Sequence, residues 1–131
     1  MRVQNTSNTQ TLIASGARTA TFNSGSATQR GYRGAIFNLN VSARSGTSPT
    51  LDVKIQGYDQ ASAAWYDVHG AAFAQQTAVS TAPLYLTVYP GVAETNNQTV
   101  SDVIPTTFRA VCTIGGTTPS FTFTLSYTMV P

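Results

Sequence analysis

Ionisable side chains are scarce in this sequence: of 131 residues, 9% are charged, against about 25% in an ordinary soluble domain. Their place is taken by Thr, Ser, Asn, Gln and Ala rather than by longer apolar runs. Hydroxyls and amides are less costly to desolvate than ions, so such a surface suits a chain that packs against neighbours. The seven Lys and Arg residues are spread along the chain, and the tightest grouping is Arg30 with Arg33. A nucleic-acid interface needs a clustered basic footprint, so none is expected. Cys112 is the single cysteine, which excludes an internal disulfide framework and a cysteine-based zinc site. Within an apolar strand pattern it reads as a small buried hydrophobe. No stretch approaches the length of a membrane span, and residues 1–10 lack the apolar segment of a signal peptide. The expectation is a chain made in the cytoplasm, with no membrane partner.

Catalytic chemistry is equally thin. The one histidine, His69, follows Trp65-Tyr66-Asp67-Val68 with no nucleophile elbow nearby, so a Ser-His-Asp arrangement has little to build on. The five acids, Asp52, Asp59, Asp67, Glu94 and Asp102, are isolated from one another. They lack the close alternate spacing of a calcium loop, and paired carboxylates for glycoside hydrolysis would have to meet through the fold. Asp59, in Gly57-Tyr58-Asp59-Gln60, reads as a strand-end residue bonding local amides. Phosphate-cradling glycine motifs are missing. The sequence therefore assigns no catalytic, cofactor-binding or metal-binding residue, and the chain is not expected to be an enzyme.

What the chain does have is two-residue alternation. Ala35, Phe37, Leu39, Val41 and Ala43 form one apolar set; Leu51, Val53 and Ile55 form another. Leu84, Leu86 and Val88 follow, then Phe108, Ala110, Cys112 and Ile114. The clearest set is Phe121, Phe123, Leu125, Tyr127 and Met129, alternating with Thr122, Thr124, Ser126 and Thr128. Successive strand residues point to opposite faces, so each run predicts a strand with one buried face in an antiparallel sheet. Weaker strands are predicted at 11–15, 18–22, 64–68 and 99–104, and residues 71–79 offer a turn of helix. Breaks at Ser24-Gly25-Ser26, Ser45 to Pro49, Pro90-Gly91 and Gly115 to Pro119 read as turns, with the Gly115-Gly116 pair suggesting a hairpin.

Together these features predict an all-β, antiparallel β-sandwich of immunoglobulin-like or jelly-roll type with about eight or nine strands. Residues 1–10 read as a flexible polar arm and 11–131 as one domain. Trp65 is expected to fill the core, with Tyr58, Tyr66, Tyr85 and Tyr89 on partly buried faces. An aromatic sugar-binding groove is the other reading of the same rings.

Several stretches carry a family resemblance. They are Gly31-Tyr32-Arg33-Gly34-Ala35-Ile36-Phe37-Asn38-Leu39-Asn40-Val41, Thr50-Leu51-Asp52-Val53-Lys54-Ile55-Gln56-Gly57-Tyr58-Asp59 and Ala64-Trp65-Tyr66-Asp67-Val68. Val88-Tyr89-Pro90-Gly91 and Ile104-Pro105-Thr106-Thr107-Phe108-Arg109-Ala110-Val111 follow, ahead of the alternating last strand. Over about residues 30–130 this order resembles the small β-sandwich virion proteins of tailed bacteriophages, especially head decoration (cement) proteins, with a tryptophan and a late-strand arginine as its more specific elements. The resemblance implies a structural virion protein on the capsid exterior, often a homotrimer, whose partner is the major capsid protein. It brings no catalytic residue. A tail-tube, neck or head-fibre protein, or a carbohydrate-binding module, are the alternatives.

Overall fold

Residues 9–131 are described by the computed structural model, and among them there is strand but no helix. Eight strands follow in order: β1 (Thr9–Arg18), β2 (Phe22–Asn23), β3 (Ala27–Thr28), β4 (Gly34–Asp59), β5 (Ala64–Ala72), β6 (Leu84–Val88), β7 (Thr99–Val100) and β8 (Thr107–Val130). All belong to one hydrogen-bonded sheet. The predicted all-β class holds, with one difference: β6 and β7 pair in parallel, so the sheet is mixed.

The sheet is organised by β4 and β8, of 26 and 24 residues. They run antiparallel along almost their whole length, from Gly34 opposite Val130 to Gly57 opposite Phe108. Midway the ribbon bends back on itself. Its leading half (34–45 with 120–130) carries β1 on one side and β6 then β7 on the other. Its trailing half (50–59 with 107–115) carries β2 and β3 along β8 and β5 along β4. Where a sandwich of two sheets was expected, the described strands form one sheet whose two halves fold toward each other. Phe37 of the leading half meets Phe108 of the trailing half edge-on at 5.7 Å between ring centroids, and Phe22 meets Phe123 at 6.1 Å.

Alternation accounts for the core. Phe37, Leu39, Val41, Leu51, Ile55, Phe108, Ala110, Cys112, Phe121, Phe123 and Leu125 are all fully buried. Met129 is nearly so, while Tyr127 is half-buried. Cys112 lies where the sequence pattern put it, and burial pushes its thiol up to about 12. A folded-state value above the unfolded one makes this contribution complete below the unfolded value. It is lost as pH rises toward the folded value. Stability is therefore expected to decline above pH 9, the ordinary thiol value here, and to decline less steeply in Cys112→Ala. Urea midpoints across the alkaline range check this; identical slopes would refute it.

Both segments read as turns, 45–49 and 115–119, are instead the bend itself. Gly46-Thr47-Ser48-Pro49 and Gly116-Thr117-Thr118-Pro119 face each other about Thr47 opposite Thr117. Their backbones match: Gly46 and Gly116 have φ of 110° and 111°, Ser48 and Thr118 of 48° and 49°. Each strand contributes a bulge there, since the register slips between Ser45 and Thr47 and again between Thr47 and Thr50. Bulges with a left-handed residue and a proline turn a strand without ending it. Glycine and proline mark the change of direction correctly, but the hairpin expected at Gly115-Gly116 does not form, because β4 supplies the partner on both sides of it.

Other local corrections have similar causes. Residues 71–79 form no helix. Ala71 and Ala72 end β5, and the chain then crosses the open side of the bend. Gln76 exchanges two backbone hydrogen bonds with Leu51 (2.8 and 2.9 Å), and the Ser80 N–H donates to the Val41 carbonyl at 2.9 Å. Those bonds satisfy β4 where β5 and β6 stop. The strand expected at 99–104 shrinks to β7, two residues long. Residues 18–22 are split by the crossing from β1 to β2. Thr9 and Gln10, assigned by sequence to the arm, are strand residues opposite Thr128 and Tyr127; the rest of that arm lies outside the described residues.

Candidate functional site

The outward faces of the two halves differ in chemistry. On the leading half, Asn38 and Asn40 stand opposite Ser126 and Thr124, with Thr11 beyond Ser126 and Tyr85 beyond Asn38. Apart from Ile36, these outward positions are hydroxyl and amide, and none of them is charged. The trailing half collects charge and aromatic surface. Trp65 of β5 stands opposite Tyr58 of β4, Asp67 opposite Gln56, and Gln56 opposite Arg109 of β8.

The side chains form a connected ladder. The Arg109 guanidinium lies 4.2 Å from the centre of the Trp65 ring, and its Nε–H donates to Gln56 Oε1 at 3.0 Å. The Gln56 amide turns its NH₂ to Asp67 Oδ1 at 2.9 Å, and Lys54 Nζ donates to Asp67 from 3.1 Å. Tyr58 packs on Trp65 with ring centroids 5.0 Å apart. The Gln56 amide, and after it Lys54, hold the Asp67 carboxyl below its usual value. The acid is therefore ionised over the neutral range, the state in which it accepts from both Gln56 and Lys54. A guanidinium stacked on an indole and pinned by one amide has surrendered its rotamer freedom before meeting any partner.

Trp65 is therefore half-buried on an outer face, contrary to its expected place in the core. The reason lies in strand parity. Val68, Ala71 and Phe73 are the inward residues around β5, and the opposition of Trp65 to outward-facing Tyr58 leaves it on the other side. Arg109 lies on the outward face of β8, where its neighbours are Trp65 and Gln56. Sequence reasoning singled out both residues and could not join them, because only the register of β4 against both β5 and β8 does so.

The remaining polar residues are held separately. Asp59 caps the β4–β5 turn, accepting from the Ala61 N–H at 3.1 Å and the Ser62 hydroxyl at 2.6 Å; these bonds lower its pKa. That is the local amide bonding expected of it. Asp52 accepts from Gln75, Asp102 from the Val103 N–H and Glu94 from the Ser101 N–H. His69 is exposed and shares with Glu94 a shallow depression of about 300 Å³. Among the described residues no three of His, Cys, Asp and Glu gather to hold a metal ion. The ladder on the trailing half is the arrangement most suited to binding a macromolecule. Comparison with family models, curated proteins and solved structures found no match to this chain.

Proposed function

We propose that this chain is a structural protein of a tailed-bacteriophage virion, seated on the capsid exterior as a symmetric oligomer, a trimer, through the outer face of its trailing half. The observation that carries the reading is the contact between Arg109 and Trp65. They are the arginine and tryptophan on which the family resemblance leans, and the fold stacks one on the other. Trp, Tyr and Arg dominate the binding energy of protein interfaces when they sit at the centre of a patch with polar residues around them. Here Trp65, Tyr58 and Arg109 occupy the centre, and Lys54 and Asp67 lie alongside. Few ions need desolvating elsewhere, which favours close seating on a protein lattice. Repetition around a symmetric particle multiplies a modest contact.

The test adds purified protein to capsids that lack it and measures occupancy by quantitative gel and cryo-electron microscopy. Wild-type protein is expected to fill sites as trimers. Trp65→Ala and Arg109→Ala, folded as judged by circular dichroism, are expected to bind at least tenfold more weakly, about 1.4 kcal/mol. Failure of the folded wild-type protein to bind, or full binding by both variants, overturns the proposal.

A further inference from the structure

A second site lies in the leading half, sharing no residue with the Trp65–Arg109 ladder. A groove of about 610 Å³ runs where β6 extends past the end of β7, between the 73–76 segment and the 96–99 segment. Its lining includes Gln76, Tyr85, Asn96, Gln98 and Thr99, together with Pro83. No carboxylate, amine, guanidinium or imidazole is among the lining residues. That excludes recognition by charge and points to a neutral ligand.

Tyr85 is 62% exposed, so its ring offers a flat apolar face with a polar tip. Backbone alternation adds to it. The Thr87 N–H donates to the Gln98 carbonyl and the Tyr89 N–H to the Val100 carbonyl. Tyr85, two residues earlier on the same side, therefore turns its N–H and C=O toward the groove, beyond the end of β7. Asn96 and Gln98 are exposed at the opposite wall. Each amide presents donors and an acceptor together, which is the pattern that neighbouring hydroxyls on a ring satisfy in pairs. A peptide strand fits less well. Strand addition needs a row of free backbone groups, and here Pro83 has no N–H to continue the row.

We infer that this groove is a binding site for a neutral saccharide of one or two hexose units, with Tyr85 as the stacking platform and Asn96 and Gln98 as hydroxyl-binding amides. The volume lies within the usual range of small-molecule sites. A glycan site on a particle-bound protein would give the virion weak, many-copy adhesion to sugar-coated surfaces. The inference does not depend on capsid binding, because the site is complete within one chain.

The experiment uses the isolated full chain and titrates maltose, cellobiose, lactose, N,N′-diacetylchitobiose and sialyllactose, followed by amide NMR. At least one neutral disaccharide is expected to shift the Tyr85, Asn96 and Gln98 resonances with a Kd of about 1 mM, and sialyllactose, which carries a charge, is expected to bind no better. Tyr85→Ala is expected to weaken binding about tenfold with an unchanged spectrum elsewhere, and Asn96→Ala with Gln98→Ala to do the same. No saturable shift with any sugar, shifts confined to the Trp65 region, or undiminished binding in these variants would each overturn the assignment. Capsid retention is measured separately, so failure here leaves the capsid reading standing, and the reverse.

Discussion

Phe37→Ala is expected to lower the stability of the chain by about 3–5 kcal/mol, the usual cost of emptying a buried aromatic position. Phe37 is fully buried. Its ring meets Phe108 edge-on and lies 6.2 Å from Tyr127, while Phe108 in turn meets Tyr127 at 5.2 Å. Removing it thus takes away one of the aromatic rings that join the leading half to the trailing half. For a chain of this length the midpoint of thermal unfolding is expected to fall by roughly 10–20 °C. Urea denaturation monitored by Trp65 fluorescence measures the loss. Ile36→Ala, one residue away on the outer face, is the comparison, and its cost is expected to be far smaller. A Phe37→Ala loss below about 1 kcal/mol would show that the halves are not held together through this cluster.

The second large effect is expected at the bend. A Cβ on Gly116 would stand 2.8 Å from the Ser48 carbonyl oxygen and 2.9 Å from the Pro49 Cα. A Cβ on Gly46 meets the Thr118 oxygen at 2.6 Å and the Pro119 Cα at 2.9 Å. These are main-chain atoms of the opposite strand, so relief requires the strands to separate. The left-handed conformation adds about 1–2 kcal/mol for any L side chain. Gly116→Ala is therefore expected to cost roughly 2–5 kcal/mol in all, combining that strain with overpacking. Gly25→Ala provides the control, since nothing lies within 4 Å of its added Cβ. A Gly116→Ala protein as stable as the Gly25→Ala protein would mean that the ribbon does not need its two glycines to fold over.

How much of this was readable in the residues depends on the range of the interaction. Phe121 to Met129 and Leu51 to Ile55 announce their buried face through neighbours two positions away, and that face is the core. The bend depends on the same local chemistry, and Gly46, Pro49, Gly116 and Pro119 do mark where the chain turns. Local chemistry cannot say whether a turning strand leaves its partner or carries the partner along. Two matching bulges, one on each strand, were needed to keep the ladder intact, and nothing within either segment reveals the other. The ladder on the trailing half was hidden for the same reason. Trp65 and Arg109 were visible as residue types, but their contact is a product of two registers. Trp65 looked like core because an indole is mostly apolar; the parity of β5 put it outside. The groove at Tyr85 was hidden because it needs the parallel register that sets Thr87 opposite Thr99 and leaves Tyr85 ahead of the start of β7, and nothing within either segment reveals that register.

The pairing of β4 with β8 also governs when the chain acquires its fold. Every bond of that ladder joins residues separated by roughly fifty to a hundred positions, which places the protein among the high-contact-order topologies that fold in milliseconds to seconds. Because β8 follows β4 by about fifty residues, β4 is made well before its partner. The growing chain carries that long alternating strand without its main partner until β8 follows. The central ladder waits for β8, and aggregation competes with folding in that interval. Arg44, Asp52, Lys54 and Asp59 are the charges along β4, and they oppose pairing of the waiting strand with another copy of itself.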